Sequence, residues 1–372
     1  MTIAMLLLAV LWLSYANGSN DNFKAVATIY GSSTLSYRAA LVLATAVQLA
    51  GSVASIFLAG MLLEAFSGRW LLADTVVADE RFLLAVGAAA AATVLLATRL
   101  GMPVSTTHAL IGGLVGASLA FFPAEIRWSG LGDRFLVPLL VVPVLATAGA
   151  AIIYPAARGA RRRLGVNEVT CLCVGEEYEP VQVGTDGAMV VARTGLRLTA
   201  AQAVQCRRLY AGRVVGVSAQ RVVDGLHLVS GAALGFARGL NDTPKILALL
   251  VAARWSGLDL RSGLGLVAVA MALGGVLGSR RIAATLGKRI TEMNRGQGLV
   301  ANVVASVLVI CASVMGTPVS TTHVSTGAIF GIGLWTGRAH FNVVAQIIAA
   351  WVATGPLALL LGYAAGTALL IT

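Results

Sequence analysis

Residues 101–117, GMPVSTTHALIGGLVGA, reappear as residues 316–332, GTPVSTTHVSTGAIFGI, with an unbroken Pro-Val-Ser-Thr-Thr-His in both copies. A second repeated motif lies upstream of each copy: residues 14–24, SYANGSNDNFK, align with residues 235–245, GFARGLNDTPK. The two motifs occur in the same order in both halves, at offsets of 215 and 221 residues. Similarity at two fixed offsets indicates a duplicated chain, and it predicts two structurally equivalent repeats.

The composition is typical of an integral membrane protein. Of 372 residues, 58% are hydrophobic and only 12% are charged, against roughly 25% charged residues in soluble proteins. Most of the long apolar runs approach the about 20 helical residues that a hydrocarbon layer requires. They fall near residues 3–16, 39–63, 82–98, 134–154, 262–279, 298–315 and 341–371. Because these runs are apolar on every face, they favour spanning helices over a β-barrel. We expect an all-α polytopic protein of the cell membrane, surrounded by lipid.

The formal net charge of +11 reflects membrane orientation rather than nucleic-acid binding. Basic residues concentrate just after residue 157 and again in 280–295, whereas acidic residues dominate 64–81. The positive-inside rule places the two basic segments in the cytoplasm and the acidic one outside. The two halves then cross the membrane in opposite senses, as in the inverted repeats of secondary transporters. This organisation predicts three parts: repeat 1 in residues 1–156, a cytoplasmic insertion in 157–224 and repeat 2 in 225–372.

Each PVSTTH motif follows an apolar run and a Gly-x-Pro turn. Because proline suits the first turn of a helix, we expect a re-entrant hairpin in each half, with a second helix that begins inside the membrane. The N-terminus of such a helix carries about half a positive charge and unpaired N–H donors, which an anion can satisfy. Hydroxyl groups at the terminus add further donors. The candidate residues for binding a tetrahedral oxyanion are Ser105, Thr106, Thr107, Ser320, Thr321 and Thr322.

Each NDxxK motif places an acid, an amide and an amine within an apolar segment. A carboxylate costs roughly 2.5–3.5 kcal/mol at the centre of a membrane helix, so Asp21 and Asp242 should face protein, a cavity or a cation. Carboxylate and amide oxygens, together with the carbonyls of an unwound helix, suit Na⁺ or a proton. The candidate cation ligands are Asn20, Asp21, Asn241 and Asp242. Anion and cation sites side by side predict cation-coupled anion uptake, because the cations offset the charge of the anion in a low dielectric.

Simpler structural roles are open for the same residues. The two aspartates could cap helix breaks or pair internally with Lys24 and Lys245. Serine and threonine side chains in membrane helices often bond only to the preceding turn. Duplication of both motifs favours a functional role over these alternatives.

Three further polar residues lie close to the motifs in sequence. His108 and His323 directly follow the hydroxyl triplets. They could relay protons, or they could steady the hairpin through a hydrogen bond, which is the interpretation we favour. Gln48, on the second apolar helix, could line the same cavity.

The segments GSNDNFKAVATIYGS and GLNDTPK and the doubled PVSTTH resemble the inorganic phosphate transporter (PiT) family, which also contains sulfate permeases. The similarity covers both halves and excludes roughly residues 157–224. It implies an inverted-repeat fold with discontinuous helices and two re-entrant hairpins. It further implies phosphate at the hydroxyl groups of the hairpin tips and Na⁺ or H⁺ around the two Asn-Asp pairs. The resemblance therefore implies a phosphate symporter without an organic cofactor, and a sulfate or other oxyanion permease is the alternative.

Lys24 and Lys245 depart from the family pattern, because many relatives carry asparagine or a small residue at these positions. Their ammonium groups could replace a coupling cation, or they could contact the anion. The number of coupled Na⁺ ions is therefore open. The choice between phosphate and sulfate and the oligomeric state, a homodimer included, are open as well.

Residues 157–224 contain short alternating stretches, such as VTCLCV at 169–174 and RVVGVS at 213–218, which predict a small β-rich insertion. The segment also holds Cys171, Cys173 and Cys206 but no histidine, which disfavours a zinc site. A cytoplasmic location argues against a structural disulfide. We therefore expect buried or idle thiols.

Two other functional classes account for less of the sequence. A passive anion channel would need only the hydroxyl-lined helix ends and would leave two membrane aspartates unexplained. A membrane enzyme acting on phosphorylated lipid would need a nucleophile and a base at one site, and the near-identical halves supply neither. The sequence favours a transporter over an enzyme.

Overall fold

The structure is a computed structural model that describes residues 2–371 apart from 74–76, 168, 181–190, 203, 206–214 and 254–258. Within these residues, seven helical segments are long and apolar enough to cross a membrane. They are Thr2–Gly31, Tyr37–Leu58, Glu80–Arg99, Val137–Arg163, Leu260–Gly278, Arg295–Val314 and Phe341–Ile371. The chain is therefore a multi-pass membrane protein, as its composition predicts.

The regular elements in the described part of the first half are all helical. Its helices are α1 (Thr2–Asp21), α2 (Ala27–Gly31), α3 (Tyr37–Leu58), α4 (Gly60–Ala65), α5 (Glu80–Arg99), α6 (Thr106–Phe121) and α7 (Val137–Arg163). Single turns of other helix types cover Asn22–Val26, Pro123–Glu125 and Gly132–Leu136, and a short α-turn covers Ser129–Leu131. Asp79 caps α5, because its Oδ1 accepts from the backbone N–H groups of Arg81 at 2.8 Å and Phe82 at 3.0 Å.

The second half contains an equivalent set of long helices. They are α8 (Ala219–Ala252), α9 (Leu260–Gly278), α10 (Arg280–Ala284), α11 (Arg295–Val314), α12 (Thr321–Thr336) and α13 (Phe341–Ile371). A π-helical turn covers Thr285–Arg289. Asn294 and Gln297 form a capping box that fixes the start of α11.

The two NDxxK motifs differ in backbone conformation. In the first half, α1 ends at Asp21, a 3₁₀ turn covers Asn22–Val26, and α2 resumes the helix, so the expected discontinuity is present. In the second half, α8 continues through Asp242 and Pro244. The expectation of a second broken helix is therefore wrong. Neighbouring helices can satisfy the one carbonyl that a buried proline leaves free, so Pro244 does not by itself end α8.

The turn before each PVSTTH helix has the same geometry in both halves. Gly101 has φ of 71° and Gly316 has φ of 67°, a left-handed conformation that glycine adopts without strain. The next residues, Met102 and Thr317, donate back to carbonyls five residues earlier at 2.9 and 2.8 Å. These bonds close the preceding helices α5 and α11. The following helices, α6 and α12, have 16 residues each, fewer than the about 20 that a membrane crossing requires.

The PVSTTH helix of each half packs on the last long helix of the other half. A Cβ added to Gly116 of α6 would lie 2.0 Å from the carbonyl oxygen of Leu359 in α13. A Cβ added to the equivalent Gly331 of α12 would lie 2.2 Å from the carbonyl oxygen of Thr147 in α7. Small residues thus allow close approach of the backbones, as is common between membrane helices.

This close approach predicts the effect of an added methyl group. We expect Gly116→Ala to lower the midpoint temperature of thermal unfolding in detergent, because overpacking a filled interface costs about 1–3 kcal/mol. Gly355→Ala on α13 is the matched control, since a Cβ at that position has no heavy atom within 4 Å. Equal unfolding temperatures for the two variants would contradict the packing described between α6 and α13.

Tyr154–His227 forms a compact unit of its own, and Met1–Ile153 with Leu228–Thr372 forms the other. The smaller unit contains the antiparallel strands β1 (Thr170–Pro180), β2 (Val191–Gln202) and β3 (Val215–Ser218), in the sheet order β2-β1-β3. The stretch VTCLCV lies largely in β1, and the last four residues of RVVGVS form β3; residues 213–214 lie outside the described part. The small β-rich insertion is therefore present.

The cysteines of the insertion do not all match the expectation. Cys171 is a free, buried thiol, but Cys173 is disulfide-bonded. Cys206 lies outside the described residues. The expectation of idle thiols is therefore wrong for Cys173. That expectation rested on the compartment alone, whereas a disulfide also depends on which side chains the sheet brings together, and β1 places Cys173 on the buried face.

Candidate functional site

The two NDxxK motifs meet in one buried cluster of ionisable side chains in the larger unit. We call Asp21, Lys24, Arg238, Asp242 and Lys245 the charged cluster; none of them is more than 3% exposed. Three cationic and two acidic side chains give it a formal charge of +1. Charged groups far from water persist only when they are paired and hydrogen-bonded, so their mutual contacts decide what the site can do.

The two carboxylates share the same pair of donors. Nη2 of Arg238 lies 3.1 Å from Oδ2 of Asp242 and 3.6 Å from Oδ2 of Asp21. Nδ2 of Asn17 lies 3.3 Å from Oδ2 of Asp21 and 3.5 Å from Oδ2 of Asp242. Arg238 also donates through Nη1 to the backbone carbonyl of Asp21. Since like charges this close repel, the shared guanidinium and amide help to stabilise the two acids side by side.

The ammonium group of Lys24 is surrounded by oxygen atoms. It donates to Oδ1 of Asn20 at 2.8 Å and to the carbonyl oxygen of Val104 at 2.9 Å. It also contacts Oδ1 of Asp21 and Oγ1 of Thr322. These oxygens come from the interrupted helix and from both PVSTTH segments, so Lys24 links three parts of the fold.

Lys245 makes some of the equivalent contacts in the second copy. Its ammonium group donates to the carbonyl oxygen of Val319 at 2.8 Å and to Oγ1 of Thr107 at 3.0 Å. It lies 3.6 Å from Oδ1 of Asp242. The ring of Phe66, with its centroid 5.5 Å from Nζ, covers the same ammonium group.

The threonine hydroxyls complete a reciprocal arrangement between the two PVSTTH segments. Thr322 donates to the carbonyl oxygen of Val104 at 2.6 Å, and Thr107 donates to that of Val319 at 3.1 Å. Exchanging the two halves turns each of these contacts into the other, and the same holds for the contacts of the two lysines with the valine carbonyls and the threonine hydroxyls. The two PVSTTH segments are therefore equivalent in these contacts as well as in sequence.

The remaining predicted anion residues also lie at the helix starts. Ser105 and Ser320 cap α6 and α12 by accepting from the backbone N–H groups of His108 and His323, both at 3.2 Å. Thr106 accepts from Nδ2 of Asn17 at 2.9 Å. The sixth residue, Thr321, is buried at the first position of α12. The structure therefore brings the six hydroxyl residues together beside the charged cluster, and their role in anion binding stays a prediction.

Asn20 and Asn241, two of the predicted cation ligands, connect the NDxxK motifs to α5 and α11, the helices that precede the PVSTTH segments. Nδ2 of Asn20 donates to Oγ1 of Thr98 at 2.8 Å and to the carbonyl oxygen of Met102 at 3.1 Å. Asn241 accepts from Ser313 at 3.1 Å and donates to Oδ1 of Asp242 at 3.1 Å. The amides thus position α5 and α11 against the charged cluster.

The histidines and Gln48 occupy different surroundings. The rings of His108 and His323 contact each other with centroids 4.7 Å apart, and His323 stacks on Trp351 at 3.8 Å. Ring contacts thus join the two helix starts, and a role in proton transfer stays a prediction. Gln48 donates to Ser52 at 2.8 Å. Ser52 in turn bonds to Thr243 of α8 at 2.7 Å, and the backbone of Gln48 packs against Gly239 of the same helix. The side chain of Gln48 thus connects to α8 through Ser52.

Two residues of the site, Asn17 and Arg238, were not among the sequence candidates. The offset of 221 that aligns the NDxxK motifs also aligns Asn17 with Arg238. An arginine within an apolar segment is expensive and is therefore a sign of function, so this signal was available. Oδ1 of Asn17 and Nε of Arg238 are buried and have no hydrogen-bond partner in the described part of the chain. The site thus retains one acceptor and one donor with unused capacity.

Two clefts in the larger unit differ in character. The first, of about 640 Å³, lies at the end of α5 and is lined by Thr98, Arg99, Arg280 and Arg281 among others. The second, of about 310 Å³, reaches the turn before α12 and is lined mainly by apolar and aromatic groups, with Trp70 and Phe135 among them, and by Gly316, Thr317 and Pro318. Clustered arginines raise the local concentration of anions, so the first cleft suits an anion better than the second does.

Comparison with known proteins gives consistent relatives. The chain is 26% identical to a Haemophilus influenzae protein named "Putative phosphate permease", with 93% of this chain and 91% of that protein covered. It is 27% identical to the "Probable low-affinity inorganic phosphate transporter" of Mycobacterium bovis, with 97% and 76% covered. A solved structure named "The sodium-dependent phosphate transporter" shares the fold, with a TM-score of 0.76, 17% identity, and coverage of 100% of this chain and 99% of that one.

The family model described as the phosphate transporter family matches residues 17–362. This range contains the charged cluster and both PVSTTH segments. The match spans nearly the whole chain, and it agrees with the resemblance carried by the doubled motifs. The chain belongs to the phosphate transporter family.

Proposed function

We propose that this protein is a secondary active transporter that takes up inorganic phosphate together with Na⁺ or H⁺ by alternating access. The family and the names of its relatives support phosphate as the substrate. The name of the structurally similar protein supports cation coupling. One observation carries the proposal: side chains that contact the buried carboxylates of Asp21 and Asp242 also contact the starts of both PVSTTH helices.

The fold proposed for this function is an inverted repeat with two re-entrant hairpins. The reciprocal contacts of Lys24 and Lys245 support a local two-fold relation between the halves. The 16-residue length of α6 and α12 supports helices that begin within the membrane. The basic and acidic segments of the sequence support opposite orientations, with the insertion in the cytoplasm.

The phosphate site proposed lies between the starts of α6 and α12. Each start offers backbone N–H donors and the positive end of a helix dipole. The formal charge of +1 in the charged cluster favours an anion over a neutral solute. In the arrangement described, the hydroxyl protons of Thr107 and Thr322 are donated to backbone carbonyls. Binding phosphate through these hydroxyls therefore requires the two segments to separate, which links substrate binding to a movement between the repeats.

The cation-binding role proposed for Asn20, Asp21, Asn241 and Asp242 follows from their oxygen atoms and from their position. Two buried carboxylates in contact with both repeats can respond to a change in cation occupancy on either side. A passive channel would gain nothing from such a pair, so the acids favour a coupled transporter. A sulfate permease of the same fold would use the same donors, because both anions are tetrahedral.

Uptake into proteoliposomes tests this function. We expect purified protein to accumulate radiolabelled phosphate when a Na⁺ or pH gradient is imposed. We expect excess arsenate to compete strongly, because it has the shape and charge of phosphate, and sulfate to compete less. Empty liposomes are the control. Strong uptake of sulfate without phosphate would identify a sulfate permease instead. Uptake that only equilibrates phosphate, whatever the gradient, would contradict active transport.

A further inference from the structure

The ammonium group of Lys24 occupies a site that has the chemistry of an alkali-cation site. Its four oxygen neighbours are one carboxylate, one amide carbonyl, one backbone carbonyl and one hydroxyl, from Asp21, Asn20, Val104 and Thr322. Hard oxygen ligands of this kind are those that bind Na⁺ in transporters. The side chain is fully buried. Lys24 thus places a positive charge that is covalently held by the chain where a free cation would bind.

The protons of the ammonium group decide between the two roles open for this lysine. A lysine ammonium has three N–H donors, and Lys24 faces four acceptors of the protein. All its donors are therefore used within the oxygen cage. A contact with the anion would require a free donor. The geometry consequently favours the role of a cation substitute over that of an anion ligand.

Lys245 repeats this arrangement in the second half with fewer ligands. Its ammonium group contacts the carbonyl of Val319, the hydroxyl of Thr107 and, at 3.6 Å, the carboxylate of Asp242. The amide oxygen that would complete the set, Oδ1 of Asn241, accepts from Ser313 instead. Both halves therefore hold a cation that belongs to the chain, and the first cage is the more complete.

We propose that Lys24 and Lys245 are tethered cations that fill the two oxygen cages, so that phosphate transport by this chain does not require Na⁺. The inference rests on the proposed function and narrows its coupling ion: of Na⁺ and H⁺, only H⁺ is then left. A Na⁺ ion entering either cage would be repelled by an ammonium group at contact distance. The oxygen atoms that it would need as ligands already accept hydrogen bonds from that ammonium group. The sodium dependence that the structurally similar protein carries in its name then does not extend to this chain.

The direct test needs no substitution. Phosphate uptake by the wild-type protein is measured in proteoliposomes with Na⁺ replaced by choline at constant ionic strength and pH. We expect the rates to agree within about twofold, because a cation without differential binding cannot change the equilibrium. A loss of about tenfold or more in choline would overturn the inference while leaving phosphate transport established. If the protein transports phosphate in neither the Na⁺ medium nor the choline medium, by contrast, the result counts against the proposed function itself.

Removal of the tethered charge gives the second test. We expect Lys24→Ala to leave the oxygen atoms of the cage in place and to open it to Na⁺. Purified Lys24→Ala should then bind radioactive Na⁺ and unfold at a higher temperature in Na⁺ than in choline, whereas the wild type should do neither. Lys288→Ala is the matched control, since Lys288 is an exposed lysine that covers Tyr30 at 4.7 Å.

The inference can still be tested if Lys24→Ala does not fold. Binding of radioactive Na⁺ by the wild-type protein, which needs no variant, would contradict the inference by itself. Lys245→Ala removes the ammonium group from the second cage, and the same Na⁺-binding and unfolding measurements can be made on it. A folded Lys24→Ala that neither binds Na⁺ nor responds to it would show that the oxygen set is not a cation site, and this result would overturn the inference as well.

Discussion

Replacing Asp21 or Asp242 by asparagine should abolish gradient-driven phosphate uptake while leaving the protein folded. The substitution preserves shape and one oxygen acceptor but removes a negative charge, so the formal charge of the charged cluster rises from +1 to +2. Arg238 then loses one of the two carboxylates that its guanidinium joins. Since the pair is proposed to respond to the coupling cation, we expect uptake to fall at least about 100-fold, equivalent to about 2.7 kcal/mol.

The fold should survive this change because the cationic partners keep other acceptors. Lys24, for instance, retains Asn20 and the carbonyl of Val104 when Asp21 is altered. Size-exclusion chromatography and thermal unfolding in detergent check this, and uptake into proteoliposomes measures the loss. Asp259→Asn is the matched control: Asp259 is an exposed acid that caps α9, and asparagine caps a helix equally well. Full uptake in both Asp21→Asn and Asp242→Asn would refute the assignment of the acid pair.

Much of the site could be predicted from sequence because its chemistry is local and repeated. A Gly-x-Pro turn followed by three hydroxyl residues specifies a helix start, and Gly101 and Gly316 do adopt the required left-handed conformation. Two acids in apolar segments must find partners, so a shared location for Asp21 and Asp242 followed from their equivalent places in the two repeats. Duplication supplied the independent second copy that made these patterns specific.

Other features could not be predicted, because they depend on tertiary packing. The sequence does not reveal that Pro244 lies within a continuous α8, since this depends on neighbours that satisfy the free carbonyl. It also does not reveal that Thr107 and Thr322 donate their protons to backbone carbonyls, because those carbonyls belong to the opposite half. The disulfide of Cys173 likewise depends on which side chains the fold brings together.

The sequence marks Arg238 as an arginine in an apolar segment, but its contacts with both acids emerge only when the two halves are placed together. It occupies the position equivalent to Asn17, so it is the one member of the charged cluster without a charged counterpart in the other half. Its guanidinium group donates to the backbone carbonyl of Asp21 through Nη1 and to the carboxylate of Asp242 through Nη2. The two-fold arrangement of the site therefore holds for the acids and the lysines and fails at the group that joins them.

Replacing Arg238 by asparagine makes the second half match the first at this position, and we expect it to reduce phosphate uptake at least about 100-fold. The formal charge of the charged cluster falls from +1 to 0, which removes the excess that favours an anion. The two carboxylates also lose the donor that stabilises them side by side, and removing one partner of a buried ion pair costs about 3–5 kcal/mol. Uptake and thermal unfolding are both measured, because the same change should lower stability.

Arg238→Lys separates charge from geometry in this prediction. A lysine keeps the positive charge but lacks the planar fork that reaches two acceptors, so we expect uptake between that of Arg238→Asn and the wild type. Arg221→Asn, an exposed arginine at the start of the same helix α8, is the matched control and should transport normally. If Arg238→Asn folds and transports phosphate at a rate comparable to that of Arg221→Asn, then the guanidinium does not organise the site, and the acid pair must be stabilised by Asn17 and the two lysines alone.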